Sequence, residues 1–452
     1  MRTDATWPLV AHEDAREIVA YRGQTGVSLA RFLRDVAWVA ASVPGRGPLL
    51  NACSDRYRFT VALAAALVSR RRTILPSSYA PATLRALLAG VADVTCLADE
   101  DRALGFAHVT FPELPVAEPR TRGPVVVPRV PAGFVAATVF TSGTTGTPVG
   151  HDKTWGSLVM SARAEANRLS VTRGYAVVGT VPPQHMYGLE STVMLPLQAR
   201  AALSDTQPFY PHDIVTTLAA LPRPRLFVTS PVHLRALLTS GLASPPLDAV
   251  LCATAPLPLP LACEAERRLE APLWEIYGAT EAGQMASRRP LVSEAWELFP
   301  GLVLAPGADG SVSVSGGHVA GTVALNDVID CQDERHFHLK GRGSDIINVA
   351  GKRSSLAFLE HQLLAIPGVR DGVFYLPDED LAGPVARLMA FVVAPGLTAA
   401  AVETALRARL DPAFLPRPLY LVDALPRLPS GKLTRAALRD LFVARKVSEG
   451  GG

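Results

Sequence analysis

The chain has 452 residues, 48% hydrophobic and 19% charged, which is enough for two or more globular domains with a sizeable core. Its formal net charge of +3 is too small to indicate binding to nucleic acid or to an anionic membrane. Residues 1–20 lack the apolar core of a secretory signal, and no apolar run approaches the ~20 residues of a membrane span. The five cysteines form no Cys-x-x-Cys pair, so we expect reduced thiols in a cytoplasmic protein without a transmembrane segment.

Strands and helices alternate through the first hundred residues. Predicted helices cover residues 28–42, 58–69 and 81–88, and predicted strands cover 48–52, 73–76 and 91–97. This alternation predicts an α/β fold with a parallel, doubly wound sheet that helices cover on both faces. Six prolines between Pro112 and Pro131 then predict an extended connector.

A loop of hydroxyls and glycines follows the apolar strand predicted over residues 134–140. Residues 141–148 read Thr-Ser-Gly-Thr-Thr-Gly-Thr-Pro. Glycines let backbone N–H groups turn towards an anion and hydroxyls add donors, so the loop is typical of a polyphosphate site. It is not a Walker A motif, because no Gly-Lys-Ser/Thr follows the glycines. An ordinary surface turn is the alternative when the loop is taken alone.

The middle of the chain continues the strand and helix alternation. Predicted strands cover residues 176–181, 225–229, 249–253 and 274–277, and predicted helices cover 157–169, 231–238 and 261–269. Ligands of such sheets bind beyond the carboxyl ends of the strands, where the polar segments 182–190 and 278–281 fall.

The pattern changes after residue 290. Three short runs at 310–315, 321–325 and 336–339 predict a small antiparallel β unit. Beyond residue 345 we predict an α+β module, with helices at 356–364 and 398–410 and strands at 368–376 and 387–394. A polar glycine loop at 425–435 precedes a final helix.

Four motifs in order, over almost the whole chain, resemble those of the adenylate-forming superfamily. This superfamily contains acyl- and aryl-CoA synthetases, peptide-synthetase adenylation domains and luciferases. The matching segments are residues 141–148 (phosphate loop), Tyr277-Gly-Ala-Thr-Glu281 (adenine and magnesium), Asp327 with Arg342 (ribose), and Gly431-Lys432 (catalytic lysine).

The resemblance implies an enzyme that uses ATP and Mg²⁺ in two steps. A carboxylate attacks the α-phosphorus of ATP, and a thiol then displaces AMP from the acyl-adenylate. The implied catalytic residues are Lys432, Glu281, Thr280 and His185, with Glu281 as the magnesium ligand. The implied ATP- and AMP-binding residues are Thr141, Ser142, Gly143, Thr144, Thr145, Gly146, Tyr277, Gly278, Ala279, Asp327 and Arg342.

The resemblance also implies two domains that rotate against each other. We expect an adenylation core over residues 1–342 and a mobile lid over residues 343–452 that carries Lys432. Ser344 occupies the hinge position two residues after the motif arginine, and a serine beside Gly343 is compatible with a hinge.

The acid substrate is expected to lie beside residues 182–190. The implied acid pocket consists of His185, Tyr187, Gly188, Ser230, Ala253, Ala255, Gly283 and Met285. No aspartate is present there to pair with an α-amino group, which disfavours an amino acid; Glu190 is the one acidic residue of this segment. The compact chain and its His-x-Lys-Thr-Trp segment resemble ligases of aryl-polyene-type pigment pathways, which load hydroxybenzoate-like acids onto acyl carrier protein. An aryl- or acyl-CoA ligase and a non-catalytic nucleotide-binding regulator are the alternatives.

One position departs from the family pattern. The phosphate loop of the family usually continues Pro-Lys-Gly, whereas this chain reads Pro148-Val149-Gly150. Lys153 is a candidate to supply the missing positive charge.

Overall fold

A computed structural model gives the fold of most of the chain. It describes residues 5–100, 104, 106–116, 125–141, 149–307, 311–342, 346–349, 352–377, 387–410, 412–428, 431 and 433–450.

The described residues up to 154 contain a six-stranded sheet, four further short strands and three helices. The helices are α1 (Leu29–Ser42), α2 (Arg56–Val68) and α3 (Pro81–Leu88). The strands are β1 (Thr6–Pro8), β2 (Ile18–Arg22), β3 (Thr25–Ser28), β4 (Leu49–Asn51), β5 (Thr73–Leu75), β6 (Thr95–Ala98), β7 (Val109–Thr110), β8 (Arg129–Pro131), β9 (Val135–Thr141) and β10 (Val149–Thr154). The sheet has the order β10-β9-β5-β4-β6-β7 and is parallel except for β10. The predicted parallel α/β sheet is confirmed.

The next segment builds a larger sheet. Its helices are α4 (Trp155–Leu169), α5 (Met186–Gly188), α6 (Leu195–Ala199), α7 (Pro211–Ala220), α8 (Pro231–Thr239) and α9 (Leu259–Leu269), with a π-helical turn at Leu189–Met194. Its strands are β11 (Ala176–Gly179), β12 (Ala202–Ser204), β13 (Arg225–Thr229), β14 (Ala249–Cys252), β15 (Leu273–Ala279), β16 (Gly283–Arg288) and β17 (Trp296–Leu298). Strands β2, β12, β11, β13, β14 and β15 run parallel at its centre.

Antiparallel strands complete this part of the chain. They are β18 (Leu302–Pro306), β19 (Val312–Gly316), β20 (Thr322–Leu325), β21 (Asp327–Cys331) and β22 (His336–Arg342). Strands β18 to β20 form the small antiparallel unit that the sequence predicts. The third predicted run, at 336–339, was assigned to that unit wrongly: β22 pairs with β17 and β21 at the edge of the large sheet. Alternation alone cannot identify the partner of a strand, because every half-buried strand shows it.

Helix α2 shows how the two sheets meet. All its residues from Arg56 to Leu67 except Arg58 are buried, as in a helix that packs on every side. Arg56 is completely buried and its Nη2 donates to the carbonyl oxygens of Gly179 (2.9 Å) and Val181 (3.0 Å). These bonds fix the chain just beyond β11, where the segment 182–190 begins.

The C-terminal part has its own apolar core. Its strands are β23 (Ile346–Val349), β24 (Lys352–Ser355), β25 (Asp371–Tyr375), β26 (Met389–Val393) and β27 (Leu419–Leu421). Its helices are α10 (Leu356–Leu364), Ala399–Arg407 and Arg435–Gly450, with a 3₁₀ turn at Pro412–Phe414. The predicted large sheet-rich part and smaller α+β part are confirmed, while the domain boundary after residue 342 and the hinge at Ser344 remain predictions. Among the described helices, none has the length and apolar character needed to cross a bilayer.

Candidate active site

Two paired strands fix the ends of the predicted phosphate loop. Thr141 is the last residue of β9, and it lies opposite Val149, the first residue of β10. The loop residues Ser142, Gly143, Thr144, Thr145 and Gly146 lie outside the described residues, and so do Lys432 and Ser344. The residues that flank the loop therefore lie opposite each other on paired strands.

The turn between β15 and β16 carries the predicted adenine and magnesium residues. Gly278 and Ala279 end β15, Thr280 and Glu281 lie in the turn, and Gly283 starts β16. A Cβ atom on Gly278 would lie 2.6 Å from the carbonyl oxygen of Gly283, so the two strands cross too closely here for a side chain. Gly283 has a φ of +83°, which favours glycine. The tight turn presents the Glu281 side chain outward, with 43% of it exposed.

Strand β10 supplies two basic side chains to Glu281. Residues 151 and 153 lie on one face of the strand because side chains alternate. His151 Nε2 lies 3.7 Å from Glu281 Oε1, and Lys153 Nζ donates to the backbone oxygen of Glu281 at 2.7 Å. The strand that follows the phosphate loop is thus attached directly to the turn that holds Glu281.

The donor set fits magnesium bound together with phosphates. Within the described residues, no three His, Cys, Asp or Glu side chains are grouped as a metal cage. Magnesium in nucleotide sites is usually held by one or two carboxylates plus substrate phosphates and water. The exposed Glu281 carboxylate, close to both ends of the phosphate loop, suits that mode.

Several buried polar side chains lie behind this turn, and the sequence did not show that they are close to one another. Glu190, on the π-helical turn, is 1% exposed and accepts a 2.6 Å hydrogen bond from Ser161 Oγ. Burial raises the pKa of Glu190 to about 7. Burial also lowers the pKa of Lys153. The negative charges of Glu190 and Glu281 act in the opposite direction and raise it. A cavity of about 30 Å³, lined by Asp152, Lys153, Met186, Glu190, Glu281 and His318, adjoins these groups.

Tyr277, Asp327 and Arg342 meet across the edge of the large sheet. The Tyr277 hydroxyl donates to Asp327 Oδ2 at 2.7 Å. Asp327 lies opposite Arg342 in the β21–β22 register. The Tyr277 ring packs against Trp296 and Phe337, with centroids 5.8 and 5.7 Å away. The structure therefore brings the predicted adenine and ribose residues together.

Several predicted acid-pocket residues also converge. The Tyr187 hydroxyl donates to the carbonyl oxygens of Thr229 (3.2 Å) and Leu251 (3.0 Å), so its ring spans the ends of β13 and β14. Tyr187, Ala253 and Met285 belong to one apolar cluster, which also contains Tyr277.

Other pocket residues lie around that cluster. A Cβ atom on Gly188 would lie 2.0 Å from the carbonyl oxygen of Pro182, so the segment folds tightly onto itself. His185 is partly buried directly before α5, and Ala255 is partly exposed beyond β14. Their contact with a substrate stays a prediction.

The C-terminal part reaches this region through Gly431. A Cβ atom on Gly431 would lie 3.4 Å from Ser230 Oγ, so the residue before Lys432 lies against the predicted acid pocket. Arg427 Nη1 donates to the Gly431 carbonyl oxygen at 3.1 Å. The same guanidinium forms two 2.8 Å hydrogen bonds with the Asp371 carboxylate. Sequence reasoning missed this pair, because the two residues are 56 positions apart.

The chain is similar to known AMP-binding enzymes. The family model for AMP-binding enzymes matches residues 56–310. The chain is 31% identical over 298 residues to a 4-coumarate–CoA ligase of Rhodobacter capsulatus, covering 65% of this chain and 73% of the relative. It is 33% identical over 308 residues to a 4-coumarate–CoA ligase of Halorhodospira halophila, covering 66% of this chain and 74% of the relative.

A solved structure supports the fold over nearly the whole chain. The O-succinylbenzoate coenzyme A synthetase of Bacillus subtilis, in complex with AMP, superposes with a TM-score of 0.80 at 20% identity, covering 96% of this chain and 99% of that one. The same synthetase has also been solved with ATP and magnesium ion, with a TM-score of 0.78 at 20% identity, covering 94% of this chain and 97% of that one. The predicted resemblance is confirmed: the chain belongs to the family of AMP-binding enzymes.

Proposed function

We propose that the chain is an ATP- and Mg²⁺-dependent acid–thiol ligase that activates an aromatic carboxylic acid as its adenylate and transfers the acyl group to coenzyme A. The observation that carries this proposal is the convergence of Glu281, the Tyr277–Asp327 pair and both ends of the phosphate loop at neighbouring strand ends. Its relatives are named as CoA ligases, and a neighbour of the same fold has been solved with ATP and magnesium ion.

In the first step, a carboxylate oxygen of the acid attacks the α-phosphorus and the bond to pyrophosphate breaks. Asp327 would accept hydrogen bonds from the ribose hydroxyls, held in place by the Tyr277 hydroxyl. Backbone amides and hydroxyls of residues 141–146 would hold the β- and γ-phosphates. Thr280 would donate to the α-phosphate. Glu281 would hold the magnesium ion, whose positive charge would offset the charge that develops on the pyrophosphate leaving group.

Lys432 would stabilise the charge that develops between the carboxylate and the α-phosphate oxygens. Support comes from Gly431, which lies against Ser230 beside the predicted acid pocket. In the second step, a thiol attacks the acyl carbon and AMP leaves. We propose that the lid of residues 343–452 turns about Ser344 between the steps, so that Lys432 withdraws and the segment Asn348–Arg353 faces the site.

The acid is proposed to be aromatic. Tyr187, Ala253 and Met285 form an apolar cluster around the pocket, and two similar chains are 4-coumarate–CoA ligases. An α-amino acid is disfavoured, because the Glu190 carboxylate is buried and already accepts a hydrogen bond from Ser161 Oγ. Whether the acid is a hydroxybenzoate stays part of the proposal.

The comparisons change the sequence-based prediction of the thiol that accepts the acyl group. Acyl carrier protein was the expected acceptor, and the CoA ligase was the alternative; the relatives support CoA. Transfer to acyl carrier protein remains a second prediction that rests on the compact chain and its His-x-Lys-Thr-Trp segment.

A pyrophosphate-exchange assay over a panel of acids tests the first step. Exchange with hydroxybenzoates or coumarates, but not with amino acids, is expected. Absence of exchange with every acid would favour a non-catalytic nucleotide-binding regulator. The mass of the thioester formed with CoA, or with phosphopantetheinylated carrier protein, then identifies the acceptor.

A further inference from the structure

Lys153 lies in a position from which it holds the turn that carries Glu281. It is 6% exposed on β10, five positions after the end of the phosphate loop at Pro148. Strand β10 is paired with β9 along its length, with Lys153 opposite Ala137. The backbone that carries Lys153 is therefore fixed by the sheet.

The Lys153 ammonium is engaged with protein groups. Its Nζ donates to the Glu281 carbonyl oxygen at 2.7 Å. The Glu190 carboxylate lines the same small cavity as Lys153, and Ser161 Oγ donates a hydrogen bond to that carboxylate at 2.6 Å. An ammonium has three donors, and a charged donor roughly doubles the strength of a hydrogen bond. Lys153 is thus bonded to the backbone of Glu281 and shares a cavity with the carboxylate that Ser161 holds.

The contact acts on backbone conformation. Only three residues lie between Tyr277 and Glu281, and the turn closes with the Ala282 N–H donating to the Ala279 carbonyl oxygen at 3.2 Å. A bond to the Glu281 carbonyl therefore sets the direction of the Glu281 side chain and of Thr280 beside it. The opposite face of the turn is held by Gly278 against Gly283.

We propose that Lys153 is a positioning residue that anchors the Thr280–Glu281 turn to the strand after the phosphate loop, with Glu190 as its buried counter-charge. This inference rests on the proposed function, because it requires Glu281 to hold magnesium beside the phosphates. Lys153 would therefore act indirectly. It would hold the turn of the proposed magnesium ligand Glu281, and it would not contact phosphate as a loop lysine at position 149 would.

ATP binding with and without magnesium distinguishes an anchor from a phosphate contact. We would measure the ATP dissociation constant of wild type and Lys153→Met by calorimetry, in Mg²⁺ and in EDTA. Without the anchor, the gain in ATP affinity that Mg²⁺ gives should fall about tenfold, while affinity in EDTA changes less than about threefold. An equal loss in both conditions would show direct phosphate contact, and no loss in either would show that the anchor is dispensable; both overturn the proposal.

A second variant tests the role of Glu190, and a control variant tests whether the loss of any cation would have the same effect. Glu190→Gln keeps the shape of the core and should reduce the same Mg²⁺-dependent gain by a smaller factor; an unchanged gain would overturn the role of Glu190. Arg173→Met removes an exposed cation, 67% exposed, and should leave both affinities unchanged. In the double variant Val149→Lys/Lys153→Met, the Mg²⁺-dependent gain should stay reduced, because a lysine at position 149 does not hold the Glu281 carbonyl; full recovery of that gain would contradict the anchor. Failure of wild type to bind ATP would instead refute the proposed function.

Discussion

Replacing the buried Glu165 with glutamine should change how the stability of the protein depends on pH. Glu165, on α4, is 0% exposed, and neither carboxylate oxygen accepts a hydrogen bond within the described part of the chain. Ser191 and Gln284 lie near enough to lower its pKa slightly, but neither makes a hydrogen bond of ordinary geometry. Burial dominates and raises the pKa of Glu165 from 4.5 to about 8, with a further rise from the charge of Glu190.

The sign of the effect follows from proton binding. Between pH 4.5 and about 8 the folded protein keeps a proton that the unfolded chain has lost, so unfolding releases it. The stability that neutral Glu165 provides is complete below pH 4.5 and is lost as the pH rises through 8. Since one pKa unit corresponds to about 1.4 kcal/mol, the free energy of unfolding falls by at most roughly 1.4 kcal/mol per pH unit in this window.

Glu165→Gln removes this proton and leaves a neutral side chain of similar shape. Relative to wild type, the variant should therefore become more stable as the pH rises, by up to roughly 4 kcal/mol between pH 5 and pH 8. Burial lowers the pKa values of His12 and His318 to about 4, so these histidines also make the stability depend on pH. Both are present in wild type and in the variant. Their contributions cancel in the difference.

Urea unfolding followed by tryptophan fluorescence, at one-unit steps of pH, measures that difference. Glu264→Gln is the matched control, because Glu264 lies 43% exposed on helix α9 and should give a difference that hardly changes with pH. A difference between Glu165→Gln and wild type that is flat from pH 5 to about pH 8 would refute the reasoning, because Glu165 would then be ionised in the fold.

Three further predictions concern the reaction. Lys432→Ala should lower adenylation, read by pyrophosphate exchange, by about 10²–10³-fold while largely sparing thioester formation from preformed adenylate; equal loss in both steps would contradict the lid rotation. Asp327→Ala should raise the KM for ATP about 100-fold through loss of two bonds to ribose, whereas Asp330→Ala, on an exposed position of the same strand, should leave it unchanged. Arg427→Met, which removes the bond to Gly431, should lower the adenylation rate about tenfold with little change in the KM for ATP; a change confined to that KM would argue against a role near Lys432.

The sequence predicted the local elements because the relevant interactions are local. Helix Pro81–Leu88, helix Leu356–Leu364 and strand Arg225–Thr229 have the predicted bounds, set by a leading proline or a short apolar run. Ser28 caps the N-terminus of α1 and accepts a hydrogen bond from the Arg31 N–H at 3.2 Å, an interaction within one turn of the chain. Three of the four motifs could be recognised for a similar reason, since the phosphate loop, residues 277–281 and Gly431-Lys432 each consist of residues adjacent in the chain; the roles of their residues stay predictions.

The partners of these elements were decided only by the tertiary structure. Periodicity gives the faces of a strand but not its neighbours, and so the run at 336–339 was assigned to the wrong sheet. The missing lysine at Val149 was visible in the sequence, yet its consequence was not. A lysine four positions later becomes relevant only because alternation on β10 brings it to the Glu281 carbonyl, in a cavity that it shares with Glu190 of the π-helical turn. The sequence by itself thus determined the family and its chemical groups, and long-range packing determined which of those groups hold one another in place.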